Sequence, residues 1–84
     1  MAYYVYVLRS EKDGSFYIGH TADLEERLKR HNHGKSSYTK SKGPWMLIYQ
    51  EEFLSRNEAM SREREIKGKK NRGYIDYLVR TFRT

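Results

Sequence analysis

Three absences restrict what this 84-residue chain can be before any motif is considered. It contains no cysteine, which excludes a disulfide framework and a thiolate metal site and favours a reducing compartment. No apolar run approaches the ~20 residues that a membrane-spanning helix needs. The first residues also lack the pattern of a signal peptide. We therefore expect a cytoplasmic protein that is not embedded in a membrane.

The chain is also short, and it has fewer acidic than basic residues. Its length predicts one small domain over residues 1–84, with a core that buries only about 60–65% of the unfolded surface. The formal net charge is +6. Residues 1–34 contain five Lys/Arg and five Asp/Glu, whereas residues 35–84 contain twelve and six. The whole positive excess therefore lies after Gly34.

This basic composition favours a polyanionic partner. Phosphates attract cations and bases stack on aromatic rings, and the chain has eight tyrosines and one tryptophan. Two alternatives are lysines that serve only solubility and a basic face that binds an acidic protein. An anionic membrane surface is less suitable, because no long basic amphipathic helix is present. The lysines that we expect to contact a nucleic acid are Lys35, Lys40, Lys42, Lys67, Lys69 and Lys70.

The stretch YVYVLRSEKDGSFYIG predicts a β-hairpin with strands over residues 3–9 and 15–20. Asp13-Gly14 is the expected turn. Because strand residues alternate between two faces, matching the aliphatic sides places Tyr6 opposite Tyr17. Both phenols then share the non-aliphatic face, with open space beside them at Gly19. A tyrosine pair can also serve only to stabilise the sheet.

The remaining pattern predicts a helix, a strand and two more helices. Thr21 is a suitable N-cap for the first helix, which should end near His33, before Gly34 as its C′ residue. A basic loop leads to Pro44 and a strand over Trp45–Glu52, whose apolar run WMLIY indicates burial on both faces.

The second helix should start at a capping box at Ser55 and end at Lys67 or Gly68. A last amphipathic segment runs from Tyr74 to Phe82. The element order ββαβαα predicts an α+β fold.

Two side chains of the first helix are suited to phosphate chemistry. Arg27 and His31 are four residues apart, so they share a face that borders the apolar stripe of Leu24 and Leu28. The planar fork of arginine binds phosphate oxygens in pairs. The alternative is a solvated face of a charged helix.

Glu63 lies on the apolar stripe of the second helix, between Ala59 and Ile66. Glutamate is rarely buried without a partner, so it either pairs with a cation such as Arg27 or binds a metal. A single carboxylate suits one Mg²⁺ that keeps several waters. Two phenols, an arginine, a histidine and this carboxylate together form a set that suits phosphodiester hydrolysis.

At this point the chain resembles a family, the GIY-YIG nuclease domain of the small stand-alone bacterial type. Tyr17-Ile18-Gly19 matches the second half of the motif, and Tyr4-Val5-Tyr6 stands where Gly-Ile-Tyr is expected. The resemblance covers roughly residues 3–70. It continues through Thr21, the D-L-E-x-R-L-x-x-H pattern of residues 23–31, Pro44-Trp45, the E-A-x-x-x-E pattern of residues 58–63, and Ile66-Lys67.

The resemblance implies a three-stranded antiparallel sheet flanked by helices. It also implies a nuclease that hydrolyses phosphodiesters by in-line water attack with Mg²⁺ or Mn²⁺, with DNA favoured over RNA as the substrate. A separate targeting protein is a further expected partner. The alternative is a nucleic-acid-binding module with the nuclease fold but no physiological catalysis. The roles that the resemblance implies are catalytic tyrosines at Tyr6 and Tyr17, a phosphate ligand at Arg27, proton transfer at His31 and a metal ligand at Glu63.

Overall fold

The computed structural model describes residues 2–33, 43–69 and 71–82. Three strands form one antiparallel sheet, in which the strand Tyr3–Ser10 lies between the strands Phe16–Thr21 and Trp45–Phe53. The predicted α+β fold and the element order ββαβαα are confirmed. The elements are β1 (Tyr3–Ser10), β2 (Phe16–Thr21), α1 (Leu24–Asn32), β3 (Trp45–Phe53), α2 (Arg56–Gly68) and α3 (Arg72–Phe82).

The turn between β1 and β2 forms where the sequence predicted it. Gly14 adopts a φ of 78°, a conformation that glycine tolerates without steric cost. The buried Ser10 hydroxyl accepts hydrogen bonds from the backbone N–H groups of Lys12 and Asp13, at 3.1 and 3.2 Å. The turn is therefore determined by local side-chain chemistry as well as by glycine.

The register of the hairpin differs from the prediction by two residues. Tyr6 lies opposite Gly19, and Tyr17 lies opposite Leu8. A shift of two residues keeps every side chain on the same face, so matching aliphatic residues cannot distinguish the two registers. The prediction that Tyr6 lies directly opposite Tyr17 is wrong. The prediction that both phenols share one face of the hairpin is confirmed.

The two faces of the sheet pack against different helices, and β1 is buried on both. The aliphatic face carries α2 and α3, and its buried core consists of Val5, Val7, Ile18, Tyr49, Ala59, Ile66, Ile75 and Leu78. The phenol face carries α1, and its buried core is smaller. It consists of Tyr6, Leu8 and Trp45, with Tyr17, Leu24, Leu28 and Leu47 packed against them.

A β-bulge explains the unbroken apolar run in β3. Val7 pairs with Tyr49 and Leu8 pairs with Leu47, which leaves Ile48 as the extra residue. The bulge lets Leu47 pack on the phenol face and Tyr49 on the aliphatic face. The predicted burial on both faces is thus only partly right, because β3 is an edge strand and Met46 is exposed.

The cap of α1 is Asp23, whose carboxylate accepts a hydrogen bond from the N–H of Glu26 at 3.1 Å. The prediction of Thr21 as the N-cap is therefore wrong. Thr21 is the last residue of β2, and its buried hydroxyl accepts from the N–H of Asp23 instead. The helix ends with His33 as its C-cap, and the predicted C′ residue Gly34 lies outside the described residues.

The predicted start of α2 is confirmed. The Ser55 hydroxyl accepts from the N–H of Glu58 at 3.2 Å and lies 3.1 Å from the Glu58 carboxylate. In α3, Ile75 and Leu78 are buried, as the amphipathic pattern predicted. Within the described ranges, every helix is too short or too polar to cross a membrane.

Candidate active site

Tyr6 lies at the centre of the phenol face and is 1% exposed. Its hydroxyl lies 3.1 Å from Nε2 of His31, which the last turn of α1 presents and which is 2% exposed. The central strand and the first helix thus bring together two groups that are 25 residues apart. A phenol and an imidazole at this distance can share a proton.

Tyr17 completes the aromatic cluster from β2. Its ring centroid lies 4.6 Å from that of His31 and 6.2 Å from that of Tyr6. The buried Trp45 packs edge-on against Tyr17, with centroids 6.5 Å apart and planes at 68°. Edge-to-face contacts of this kind fix ring orientation. Trp45 was not among the residues predicted to form the site, although Pro44-Trp45 was part of the family resemblance.

The absence of a side chain at Gly19 makes room for the two phenols. A Cβ at Gly19 would lie 2.7 Å from the Tyr6 hydroxyl oxygen and 3.2 Å from Cε1 of Tyr17. The sequence predicted open space at Gly19, and that prediction is wrong. The observed register sets Gly19 directly opposite Tyr6, so the phenols fill the space that a side chain would need.

Burial controls the protonation of the Tyr6–His31 pair. It raises the pKa of Tyr6, and nearby Tyr17 and Glu63 raise that pKa further, while Arg27 opposes them. Burial also lowers the pKa of His31, and the cations Arg27 and Arg30 lower it further. Both groups are therefore neutral at neutral pH. A neutral imidazole is able to accept a proton, whereas a tyrosinate at Tyr6 is disfavoured.

Arg27 reaches the same region from one turn earlier in α1. Its Nε is buried and has no hydrogen-bond partner among the residues that the structure describes. A buried donor without an acceptor costs about 1–3 kcal/mol. This cost is removed if an external acceptor binds, and a phosphate oxygen matches the donor geometry of arginine.

Glu63 projects from α2, which packs on the aliphatic face of the sheet, and its side chain is 16% exposed. Oε1 contacts Nδ1 of His20, and Oε2 lies 2.6 Å from Nζ of Lys67. Burial opposes ionisation of this carboxyl, but the bonds from Lys67 and His20 outweigh it and lower the pKa. The cation that the sequence suggested as its partner, Arg27, is not the one found.

The surroundings of Glu63 fit a divalent cation in part. The carboxylate borders a cleft of about 230 Å³ that Lys67 also lines. One carboxylate with room for water suits Mg²⁺, which usually keeps several waters. Within the described ranges, no group of three or more His, Cys, Asp or Glu side chains forms a metal site. Water and substrate would therefore have to complete the coordination.

His20 is the site residue that sequence reasoning missed. It follows the Tyr17-Ile18-Gly19 motif directly, and its strand position points it to the aliphatic face, where α2 packs. Glu63 is likewise a polar residue on the apolar stripe of α2. A polar residue on each of two apolar surfaces that pack together is a signal for pairing, because neither is buried cheaply alone.

The lysines that were predicted to contact nucleic acid are described only in part. Lys67 contacts Glu63, as given above. Lys69 lies 4.0 Å from the Glu65 carboxylate and 5.7 Å from the centre of the Tyr74 ring. Four others lie outside the described residues, namely Lys35, Lys40, Lys42 and Lys70.

This chain is similar to several known proteins. The family model of the GIY-YIG catalytic domain matches residues 2–75. A UPF0213 protein of Staphylococcus haemolyticus is 50% identical over 66 residues, which cover 77% of this chain and 79% of that protein. A UPF0213 protein of Streptococcus pneumoniae serotype 4 is 50% identical over 76 residues, covering 89% and 76%.

A solved structure is also similar to this chain. The solution NMR structure of the UPF0213 protein BH0048 from Bacillus halodurans superposes with a TM-score of 0.60 at 40% sequence identity. The match covers 96% of this chain and 85% of that one. The similarity therefore extends over the sheet and all three helices.

Proposed function

This chain belongs to the GIY-YIG nuclease domain family, and on that premise we propose that it is a metal-dependent endonuclease that hydrolyses DNA. The reaction is in-line attack of water on a phosphodiester. The observation that carries the proposal is the buried Nε of Arg27, which has no acceptor in the described part of the chain and lies near the Tyr6–His31 pair. A phosphate oxygen would satisfy that donor beside a group able to take a proton.

Arg27 binds the scissile phosphate in this proposal. Its Nε is already shielded from water, so little reorganisation of this donor is needed when negative charge develops on the phosphate oxygens. Lysine cannot replace it, because an ammonium lacks the planar fork that holds two oxygens at once. Arg27 therefore supplies both orientation and charge.

Tyr6 and His31 move the proton of the attacking water. The water gives its proton to the Tyr6 oxygen while the Tyr6 hydroxyl passes its own proton to Nε2 of His31, 3.1 Å away. The raised pKa of Tyr6 disfavours a standing tyrosinate, and the lowered pKa of His31 keeps the acceptor neutral. Tyr17 packs against both rings and keeps them aligned.

Glu63 would hold the metal, Mg²⁺ or Mn²⁺. When bound, the ion supplies neutralisation of phosphate charge and stabilisation of the leaving oxygen. The carboxylate raises the pKa of Tyr6 through space, although α2 packs on the aliphatic face and Tyr6 lies on the phenol face. His20 contacts Oε1 and would orient the carboxylate toward the cleft.

The second candidate is a nucleic-acid-binding module that keeps the fold without physiological catalysis. It is favoured by the two contacts of Glu63, since both carboxylate oxygens already have partners within the chain. A module of this kind would use the basic surface to bind nucleic acid and would leave the phenol face without a reaction.

A cleavage screen separates the two candidates. Labelled linear, nicked, flapped and branched DNAs are incubated with Mg²⁺ or Mn²⁺ and the parent protein, and Glu63→Ala tests the metal requirement. Arg27→Lys should lose about 100-fold or more in cleavage rate while DNA binding persists. The matched control is Arg30→Lys, because Arg30 is on the same helix but is exposed and pairs with Glu26 at 3.1 Å. A parent that binds every DNA and cleaves none would favour the binding module.

A further inference from the structure

Lys67 is a cation whose position the proposed function leaves unexplained. Its ammonium lies 2.6 Å from Oε2 of Glu63, yet 54% of the lysine side chain is exposed. Glu63, by contrast, is only 16% exposed, so the carboxylate needs a cation more than the solvated lysine needs the carboxylate. The lysine can therefore leave the contact for solvent if another cation takes its place on the carboxylate.

A divalent ion on Glu63 and an ammonium on the same carboxylate oxygen repel each other at this distance. The lysine is the partner able to move, because its flexible four-carbon chain carries a compact charge. His20 contacts the other oxygen, Oε1, and need not move with it. An ammonium displaced from the carboxylate is then able to bind another anion at the cleft.

We propose that Lys67 is an exchange cation, which neutralises Glu63 before metal binds and afterwards turns to a phosphate of the nucleic acid. The inference rests on the proposed function, because it takes Glu63 as the metal ligand and a nucleic acid as the substrate. Metal binding and nucleic-acid binding are then positively coupled through this one side chain. The coupling is reciprocal, so DNA also tightens metal binding.

Arg64 provides the matched comparison for Lys67. It lines the same cleft and carries the same charge, but the described residues show no ion pair between Arg64 and Glu63. Removing either charge changes the general attraction for DNA by a similar amount. Only removal of Lys67 should abolish the exchange.

The first test measures DNA binding by fluorescence anisotropy with and without Ca²⁺, which takes oxygen ligands as Mg²⁺ does. Divalent ions also screen phosphates. For each variant, the change in DNA affinity on adding Ca²⁺ is therefore compared with the same change in the parent. The factor by which Ca²⁺ raises DNA affinity should be at least about fivefold smaller in Lys67→Gln than in the parent. In Arg64→Gln the same factor should stay within about twofold of the parent value. The salt slope on duplex DNA should steepen by about 0.9 with Ca²⁺ in the parent but not in Lys67→Gln.

The second test measures Mn²⁺ binding without DNA by electron paramagnetic resonance. Lys67→Gln should bind Mn²⁺ at least about fivefold more tightly than Arg64→Gln, because the competing ammonium is gone. Equal Mn²⁺ affinities in these two variants, or an equal Ca²⁺ effect on DNA binding in parent and Lys67→Gln, would overturn the exchange. Failure of the proposed function is distinct, because the Arg27→Lys cleavage comparison reports it independently.

Discussion

The two faces of the sheet differ in how completely their polar groups are satisfied. On the aliphatic face, the buried Tyr49 hydroxyl donates to Glu51 at 2.8 Å, and Arg62 donates to Glu51 and Glu65 at 2.9 and 3.0 Å. On the phenol face, the buried Nε of Arg27 has no partner in the described part of the chain. Stability needs satisfied groups, whereas a ligand site leaves one for the ligand.

The central strand β1 contributes side chains to both faces of the sheet. Val5 and Val7 of β1 point into the aliphatic core, and Tyr6 between them points to His31. Because successive side chains alternate, the same backbone that anchors the core also fixes the reacting phenol. A site built on a rigid central strand is held more precisely than one built on a loop. The faces should therefore respond differently to substitution.

The largest expected effect comes from the aliphatic face and concerns stability. Ile66 is fully buried on α2, so Ile66→Ala should lower the free energy of unfolding by about 2–5 kcal/mol. Cleavage measured in the cold, where the variant stays folded, should remain near the parent rate. Thermal melts beside cleavage assays check both, and Ile66→Val, with an expected cost of about 0.5–1.5 kcal/mol, serves if the first variant fails to fold. A folded Ile66 variant that does not cleave DNA would contradict the assignment of this residue to stability alone.

A smaller effect is expected on the phenol face, at Gly19. Gly19→Ala places a methyl group 2.7 Å from the Tyr6 hydroxyl oxygen, so the phenol has to shift. Overpacking of this kind costs about 1–3 kcal/mol in stability. The displaced Tyr6 should also slow cleavage beyond what the stability loss explains. Gly68→Ala is the control, because a Cβ there meets no atom within 4 Å. Equal cleavage by the two variants would contradict the positioning role of Gly19.

The smallest effect is a pH dependence of stability that belongs to the phenol face. Burial lowers the pKa of His31, so the unfolded chain binds that proton more tightly than the folded chain. His31 makes its full contribution to the free energy of unfolding at pH values above the ordinary histidine pKa of about 6.5. As the pH falls below that value, the free energy of unfolding decreases by at most about 1.4 kcal/mol per pH unit. Unfolding titrations of the parent and His31→Gln over this range measure it. A parent whose stability has the same pH dependence as that of the variant would show that His31 titrates normally.

Local patterns predicted most of the fold because their causes are local. The turn glycine at Gly14, the cap at Ser55 and the apolar spacing of α3 each act within a few residues. The shared face of Tyr6 and Tyr17 also followed from strand alternation alone. The N-cap was missed because Thr21 still belongs to β2 and Asp23 is the first residue free to cap.

The long-range details of the site could not be predicted in the same way. Registers that differ by two residues have identical alternation, so the sequence could not show that Gly19 faces Tyr6. The contact between Glu63 and His20 joins residues 43 positions apart and depends on how α2 crosses β2. The missing acceptor of Arg27 is likewise a property of packing, which no local pattern records.

Phosphate binding and proton transfer are assigned to the phenol face, and a pair of identical substitutions tests this assignment most directly. Tyr6→Phe and Tyr49→Phe each remove one hydroxyl from a buried tyrosine, on opposite faces of the same sheet. We predict that Tyr6→Phe lowers the metal-dependent cleavage rate by about 100-fold or more, because the proton path to His31 is broken. Tyr49→Phe should cleave as the parent does and lose only about 1 kcal/mol of stability. Equal cleavage rates for the two folded variants would contradict the account.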